Sequence, residues 1–371
     1  MSFIWQPYAT LPAHEAGDPD ILCGFLHLVL LMAHHIRTAL VSLLAIALLA
    51  WFLRGANIRD VAEQVRHANL ALILASVLIV AVIYVVRTVR WQYVLQPVGP
   101  TRFRTAFRTT IIGFAASFIL PARAGEVLRP YLLARQDGLS ATAAFATVVV
   151  ERVLDMIAVL ALLSVFVWAP TGPSTSPLLE AVKLSAAAAG LVAAGLMGVM
   201  WVLASHPGWM GRAVLKAGAV LPVRIAQTLS KLARTFSEGL AVSRAPRALV
   251  LASVWSVLLW VLIAAQIWLV TRAFGIAMPF TGSFLLQALL VVGLALPTPG
   301  GVGGFHEAYR LGTTTFFAAD NDAAIGAALV LHAASFIPIT IAGLVMMTSD
   351  GLSLRRLPDA IVAPQTGDLR G

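Results

Sequence analysis

The chain has 371 residues, of which 59% are hydrophobic and only 12% charged, with a mean hydropathy of +0.87. That balance excludes an ordinary soluble domain and reads as an integral membrane protein. The formal charge of +9 comes without a zinc-ligand cluster, an RNA-binding motif or a basic helix interleaved with aromatics. The reading therefore excludes nucleic acid and expects anionic lipid headgroups as the counter-charge. The only cysteine is Cys23, so neither an internal disulfide nor a cysteine metal site can form.

In chain order, residues 21–32 are apolar but too short to span a bilayer, and they lack the basic start and cleavage site of a secretory signal. Either this stretch lies at the membrane interface or translation begins at Met32; the second is expected, with 1–35 read as an N-terminal extension. Residues 38–53 form a first span and 70–86 a second, separated by a loop of mixed charge. Arg87, Arg90, Arg102, Arg104 and Arg108 follow with no acid among them, which places this segment on the cytoplasmic side. Residues 109–122 are uncharged, but 14 residues make only about 21 Å of helix, short of the roughly 30 Å hydrocarbon core. They run into L-P-A-R-A-G-E-V-L-R-P-Y at 120–131, so a dip that returns to the same side is expected.

Residues 143–169 span, with Glu151, Arg152 and Asp155 near the start; 170–179 form a neutral outer loop; 184–205 span again. The loop 206–247 holds seven Lys or Arg against one acid, Glu238, and belongs inside. Within it Ile225, Leu229, Leu232, Phe236 and Leu240 recur at helical spacing, the pattern of an amphipathic helix lying on the inner leaflet or packed beneath the bundle. Residues 248–270 are an uncharged span.

The stretch 276–305 contains no Asp, Glu, Lys or Arg, yet its second half reads L-P-T-P-G-G-V-G-G-F-H-E at 296–307. Pro and Gly at that density break a helix, and a broken backbone at membrane depth survives only against protein or a polar cavity. A second re-entrant segment, entering from the outer side, is expected here. Residues 323–349 form the last span, and Arg355 and Arg356 place the tail 351–371 inside. The architecture expected is an all-α polytopic membrane protein: about six full spans plus two re-entrant helices in one unit, 36–350, with both termini cytoplasmic. The two breaks share Leu-Pro, then Gly, then Glu, and their opposite entry sides suggest an inverted repeat of the kind that builds midplane sites in transporters.

A carboxylate inside a membrane segment is costly and faces a partner or an aqueous cavity, which singles out Glu126 and Glu307. Local pairing of Glu126 with Arg123 or Arg129 is the blander reading. Arg87, Arg90, Arg123, Arg129 and Arg135 form a candidate cationic lining for a phosphate, to which a planar guanidinium offers two parallel hydrogen bonds; ordinary positive-inside topology is the alternative for each alone. Glu151 and Asp155 share a helix face and suit a buried ion cluster or a polar pathway. His332, near Pro338, suits a hydrogen-bonded core histidine at a kink. No Walker-type phosphate loop, nucleophile elbow, zinc-protease helix or calcium loop occurs, and no cofactor or metal is expected.

Four stretches together carry a resemblance: V-R-T-V-R-W-Q-Y-V-L at 86–95, L-P-A-R-A-G-E-V-L-R-P-Y-L-L at 120–133, E-R-V-L-D at 151–155 and P-T-P-G-G-V-G-G-F-H-E-A at 297–308. Over roughly 36–350 the sequence resembles the flippase-like membrane family typified by the N-terminal transmembrane domain of lysylphosphatidylglycerol synthases. The resemblance implies movement of a lipid between leaflets along the two breaks. It points to Arg87, Arg90, Trp91, Arg123, Glu126, Arg129, Glu151, Asp155, Gly300, Gly301 and Glu307 as the lining. It also implies a bacterial inner-membrane location. The bifunctional members add a soluble aminoacyl transferase domain, for which the twenty residues after 351 leave no room, so this chain is expected to be a short form. Phospholipids, glycolipids and hopanoid-type lipids are the candidate substrates. Membrane lipids, a lipid-biosynthesis enzyme and a second copy of the chain are the candidate partners. The rival readings are a membrane-embedded lipid transferase using Glu126 or Glu307 as general base, and a non-catalytic partner docking through 206–247.

Overall fold

The computed structural model describes residues 43–350, apart from 55, 121–123, 169–176, 207, 210–211, 213–222 and 297. The described residues are all-α. Twelve helices follow one another: α1 (Leu43–Phe52), α2 (Ile58–His67), α3 (Leu70–Leu95), α4 (Phe103–Ile119), α5 (Gly125–Asp137), α6 (Ala141–Trp168), α7 (Pro177–Ser205), α8 (Val223–Gly239), α9 (Pro246–Ala273), α10 (Gly282–Ala295), α11 (Gly304–Phe317) and α12 (Asn321–Ser349).

Four of these, α3, α7, α9 and α12, are long and apolar enough to cross a membrane. Of the six crossings expected from sequence, α6 has the length, 28 residues, but carries Glu151, Arg152 and Asp155 in its middle. The first is described only over its last ten residues, as α1. Each long helix turns one apolar face outward. On α3, Leu74, Leu78, Val82 and Val85 are exposed while Val80, Ile83, Tyr84 and Trp91 are buried, the division of a helix with protein on one side and lipid on the other.

The segment expected to be a loop of mixed charge is instead helix α2, begun by Asn57, whose side chain accepts from the Arg59 N–H. Asn69 caps α3 in the same way through the Leu72 N–H, and its own N–H donates to the Ala273 carbonyl at 2.9 Å. That bond ties the start of α3 to the end of α9, and the two helices pack along each other through the middle of the protein. In the basic segment after α7, the expected amphipathic helix is α8. Its C-terminal part docks beneath the bundle: Phe236 packs into the core around Leu240, and the Ser237 hydroxyl donates to the Leu203 carbonyl. Leu229 and Leu232 stay exposed. The packed reading therefore holds for its C-terminal half, and Leu229 and Leu232 leave an apolar face open on the other half.

The two expected re-entrant segments are helical hairpins. The first pairs α4, 17 residues, with α5, 13 residues; the second pairs α10 and α11, 14 residues each. At about 1.5 Å per residue their arms reach roughly 20–26 Å, less than the ~30 Å core, so no arm is long enough to cross it. The arms cross at a pair of glycines. A Cβ on Gly125 would strike the Gly113 carbonyl and Ser117, and one on Gly304 would strike the Gly293 carbonyl and Leu296. The shared construction, with glycines 12 and 11 residues apart, carries the sequence likeness of the two breaks into three dimensions.

The hairpin tips meet. Gly300 lies against the Phe118 carbonyl, and the Phe118 and Phe336 rings meet at a tilt with centroids 4.2 Å apart. Gly300, Gly301 and Gly303 all have positive φ, a turn that a side chain would strain. His332 on α12 closes it, its Nε2 2.9 Å from the Gly300 carbonyl oxygen, so this histidine braces the broken backbone.

The glycine crossings generate a stability prediction. Gly304→Ala should cost about 1–3 kcal/mol through overpacking against backbone that cannot withdraw. Gly190→Ala on α7, with nothing within 4 Å, should be neutral or slightly stabilising. Melting temperatures of the two purified variants in one detergent check the contrast.

Candidate functional site

Beside the first hairpin, five helices bring charged and polar side chains to one place. The first contribution is from α3, where Arg87, Arg90 and Trp91 share the inward face. Helix α6 adds Thr147, Glu151 and Asp155 at intervals of four, with Arg152 alongside. Thr110 comes from α4, Arg129 from α5, and Ser256 and Trp260 from α9.

Arg90 is 0% exposed and sits at the centre. One guanidinium nitrogen donates to Glu151 Oε1 at 2.9 Å. The other meets Asp155 Oδ1 and Ser256 Oγ at 3.3 Å. Arg129 Nη1 takes the second oxygen of Glu151 at 2.8 Å, and its Nε donates to Thr110 Oγ1 at 3.1 Å. The Arg129 guanidinium lies 3.5 Å from the centre of the Trp91 ring, a cation–π stack whose indole N–H is held by Thr147 Oγ1 at 3.0 Å. Trp260 Nε1 donates to Asp155 Oδ1 at 2.9 Å, and Arg152 Nη1 approaches Asp155 Oδ2 at 3.5 Å. Arg87 stands 4.6 Å over the Phe114 ring.

Four guanidinium groups, of Arg87, Arg90, Arg129 and Arg152, thus surround two carboxylates, those of Glu151 and Asp155. Desolvating an ion costs several kcal/mol unless a partner and hydrogen bonds replace the water. Glu151 is answered at both oxygens; Asp155 is answered at Oδ1, while its Oδ2 is buried without a hydrogen-bond partner, 3.5 Å from Arg152 Nη1. The cations are not all answered: Arg87 Nε, Arg90 Nε, Arg129 Nη2 and Arg152 Nε are buried without a hydrogen-bond partner. The site has more donors than acceptors, and its remaining capacity is for an anion. Among the described residues, Glu151 accepts from arginine at both oxygens, and Asp155 Oδ1 accepts from Arg90 and Trp260. Among the described residues no group of histidines, cysteines and acids is placed to hold a metal.

A cavity of about 10 Å³ opens at the tip of the first hairpin, lined by Ser117, Gly125, Glu126, Arg129 and Arg152 among others. That is near the lower limit for one water molecule. The site is closed in this conformation.

Of the residues singled out by sequence, Arg87, Arg90, Trp91, Arg129, Glu151 and Asp155 come together, and Glu126 lines the cavity next to them. Arg123 lies outside the described residues. Arg135 is exposed on the far end of α5 and takes no part. Gly300 and Gly301 lie at the second tip. Glu307 stands apart: it pairs along its own helix with Arg310 through two bonds of 2.6 and 2.9 Å, and Arg310 Nη1 donates to Asn321 Oδ1 at 3.1 Å. Sequence reasoning missed Thr110, Ser256 and Trp260, ordinary residues on apolar helices with no local signal. It also missed His306, whose Nδ1 accepts from the Gly303 N–H at 3.3 Å and whose ring lies 4.6 Å from that of His332.

The pairing generates a graded prediction. Glu151→Ala strands Arg90 and Arg129 and should cost about 3–5 kcal/mol, the usual result of breaking a buried pair from one side. Arg152→Gln leaves Asp155 held by Arg90 and Trp260 and should cost less than about 1 kcal/mol. Thermal unfolding in detergent ranks the two, and equal losses would contradict the pairing.

Comparison with known proteins agrees with this geometry. Residues 38–343 match the family described as the lysylphosphatidylglycerol synthase TM region. The chain is 28% identical to glycosyltransferase AglD of Haloferax volcanii over 128 residues, 34% of this chain and 20% of that protein. It is 28% identical to the UPF0104 membrane protein MJ1595 of Methanocaldococcus jannaschii over 92 residues, 24% of this chain and 27% of that one. The match covers about a fifth to a quarter of these curated relatives. With the family match running across both hairpins and the ion cluster, this multi-pass membrane protein belongs to the lysylphosphatidylglycerol synthase transmembrane-region family.

Proposed function

We propose that the protein carries a lipid headgroup between the two leaflets of a bacterial inner membrane, along the seam where the hairpin tips meet. The observation that carries this reading is the tip-to-tip contact of two half-membrane hairpins beside a buried cluster with spare cationic donors. A continuous helix bundle has no use for broken backbone at that depth, whereas a route for a polar headgroup needs polar groups part-way through the hydrocarbon. With α4 and α5 entering from the cytoplasmic side and α10 and α11 from the outer side, the Arg129–Glu151 cluster serves the inner half of the route. The Glu307–Arg310 pair serves the outer half. Both termini then lie in the cytoplasm, residues 36–350 act as the transport unit, and the basic loop 206–247 rests on the inner leaflet. Phospholipid, glycolipid and hopanoid-type lipids are the substrate classes in view.

In the closed conformation the cavity admits no headgroup, so transport requires the hairpins to part. Glu126 at the first tip and Glu307 at the second orient the neighbouring cations as they do so. One relative is named a glycosyltransferase, which raises transfer onto a lipid as the rival reading. The occupied carboxylates of the cluster speak against it.

Reconstitution separates the two. Labelled lipids in proteoliposomes should exchange between leaflets faster with the protein than without it, and Glu126→Gln and Glu307→Gln should each slow that exchange by about tenfold, the loss of one charge-assisted interaction. No exchange, together with a chemically modified lipid made by the purified protein, would support the transferase reading instead.

A further inference from the structure

The cavity at the first hairpin tip has a composition that the translocation reading leaves unexplained. The end of α4 supplies Ser117, the start of α5 supplies Gly125, and Arg129 and Arg152 complete the cationic side. Helix α5 is 13 residues long and begins at Gly125 with no side-chain cap. Glycine there lets the start of the helix press against α4, since any side chain would meet Ser117 and the Gly113 carbonyl. A helix start carries partial positive charge and N–H groups that favour an anion. Arg129 provides the second, independent observation. Its side chain is 3% exposed, it lines the cavity, and its Nη2 has no hydrogen-bond partner although Nη1 and Nε are both bound. Across the cavity Arg152 likewise keeps a buried Nε without a partner.

We infer that this cavity is a phosphate site, which takes the phosphate ester of the transported headgroup between Arg129 Nη2, Arg152, the Ser117 hydroxyl and the start of α5. The inference rests on the translocation reading for the source of that phosphate, and on the geometry alone for the site. Charge balance agrees. Among the described residues the cluster's four arginines outnumber its carboxylates, Glu151 and Asp155, so an anion improves the balance. A sugar or polyol headgroup without phosphate would leave the spare donors facing neutral hydroxyls. Glu126 lines the same cavity, where its carboxylate competes with an arriving anion for the same cations. Arg152 is the residue that decides phosphate over a neutral headgroup. Its side chain is 39% exposed and its pairing with Asp155 is long, 3.5 Å, so it is free to follow a ligand without breaking the buried cluster.

The test uses the full chain in proteoliposomes with two labelled probes, phosphatidylglycerol and a diglucosyl diacylglycerol that has no phosphate. The wild type should exchange the phospholipid at least about tenfold faster than the glycolipid. Arg152→Gln should slow the phospholipid about tenfold, as loss of a charged hydrogen bond predicts, and leave the glycolipid unchanged. Arg152→Lys should recover part of the rate, since lysine binds phosphate as a point charge. Equal exchange of both probes, untouched by Arg152→Gln, would overturn the phosphate site while leaving translocation standing. If neither probe moves, translocation fails, and inorganic phosphate decides the site. A rise in melting temperature with phosphate over chloride at equal ionic strength, lost in Arg152→Gln, supports a site for free phosphate. No such rise overturns it.

Discussion

Removing arginine and glutamate from water together is the constraint around which this structure is arranged. Arg90 is fully buried between Glu151 and Asp155, and it offsets the desolvation of both acids at once. Because Arg90 belongs to α3, the acids to α6, and Ser256 and Trp260 to α9, the requirement that each charge be answered fixes how three helices face one another. Arg129 extends the demand to α5, and through Thr110 to α4, so the first hairpin is held by the same group of side chains. Apolar contacts between the helices could accept small shifts in register, since lipid is as apolar as leucine; buried ion pairs cannot.

The second constraint is the broken backbone. Two hairpins whose arms are too short to cross the hydrocarbon leave carbonyl and N–H groups with no water to meet them. The molecule answers by setting the tips against each other and by adding histidines. The His332 ring bonds the Gly300 carbonyl, His306 accepts from Gly303, and Phe118, Phe305 and Phe336 pack around them. The glycine crossings let the arms of each hairpin approach closely enough for dispersion contacts to replace the missing hydrophobic drive.

These two devices differ in what they leave unfinished. The histidine-braced tip leaves one buried hydroxyl, Thr298 Oγ1, without a partner, whereas the arginine cluster ends with four buried nitrogens that have no acceptor. Buried unpartnered donors cost free energy, and a protein keeps such a cost where another state or a ligand removes it. The closed cavity and the surplus of cationic donors are therefore two views of one condition, a site with unused capacity for an anion.

Much of this was legible in the sequence. Charge-free runs located the long helices, the Gly- and Pro-rich stretches located both hairpin tips, and the interval of four between Glu151 and Asp155 placed the two acids on one face. These features are local: helix length, helix breaking and face periodicity follow from a few neighbouring residues. The polar residues of α2 disguised a short helix whose burial of Val61 comes from packing against α12. Glu126 and Glu307, alike in motif, proved unlike in setting, because the three-dimensional neighbours of α11 include no counterpart of the α3–α6 cluster. The pairing of Arg129 with Glu151, the stacking of Arg129 on Trp91, and the recruitment of Ser256 and Trp260 join residues up to 166 positions apart. Sequence alone determined that charges and broken helices lie within the membrane. Only the tertiary structure decided which charge answers which, because that choice is made by helix packing and by the cost of leaving any ion alone in a medium without water.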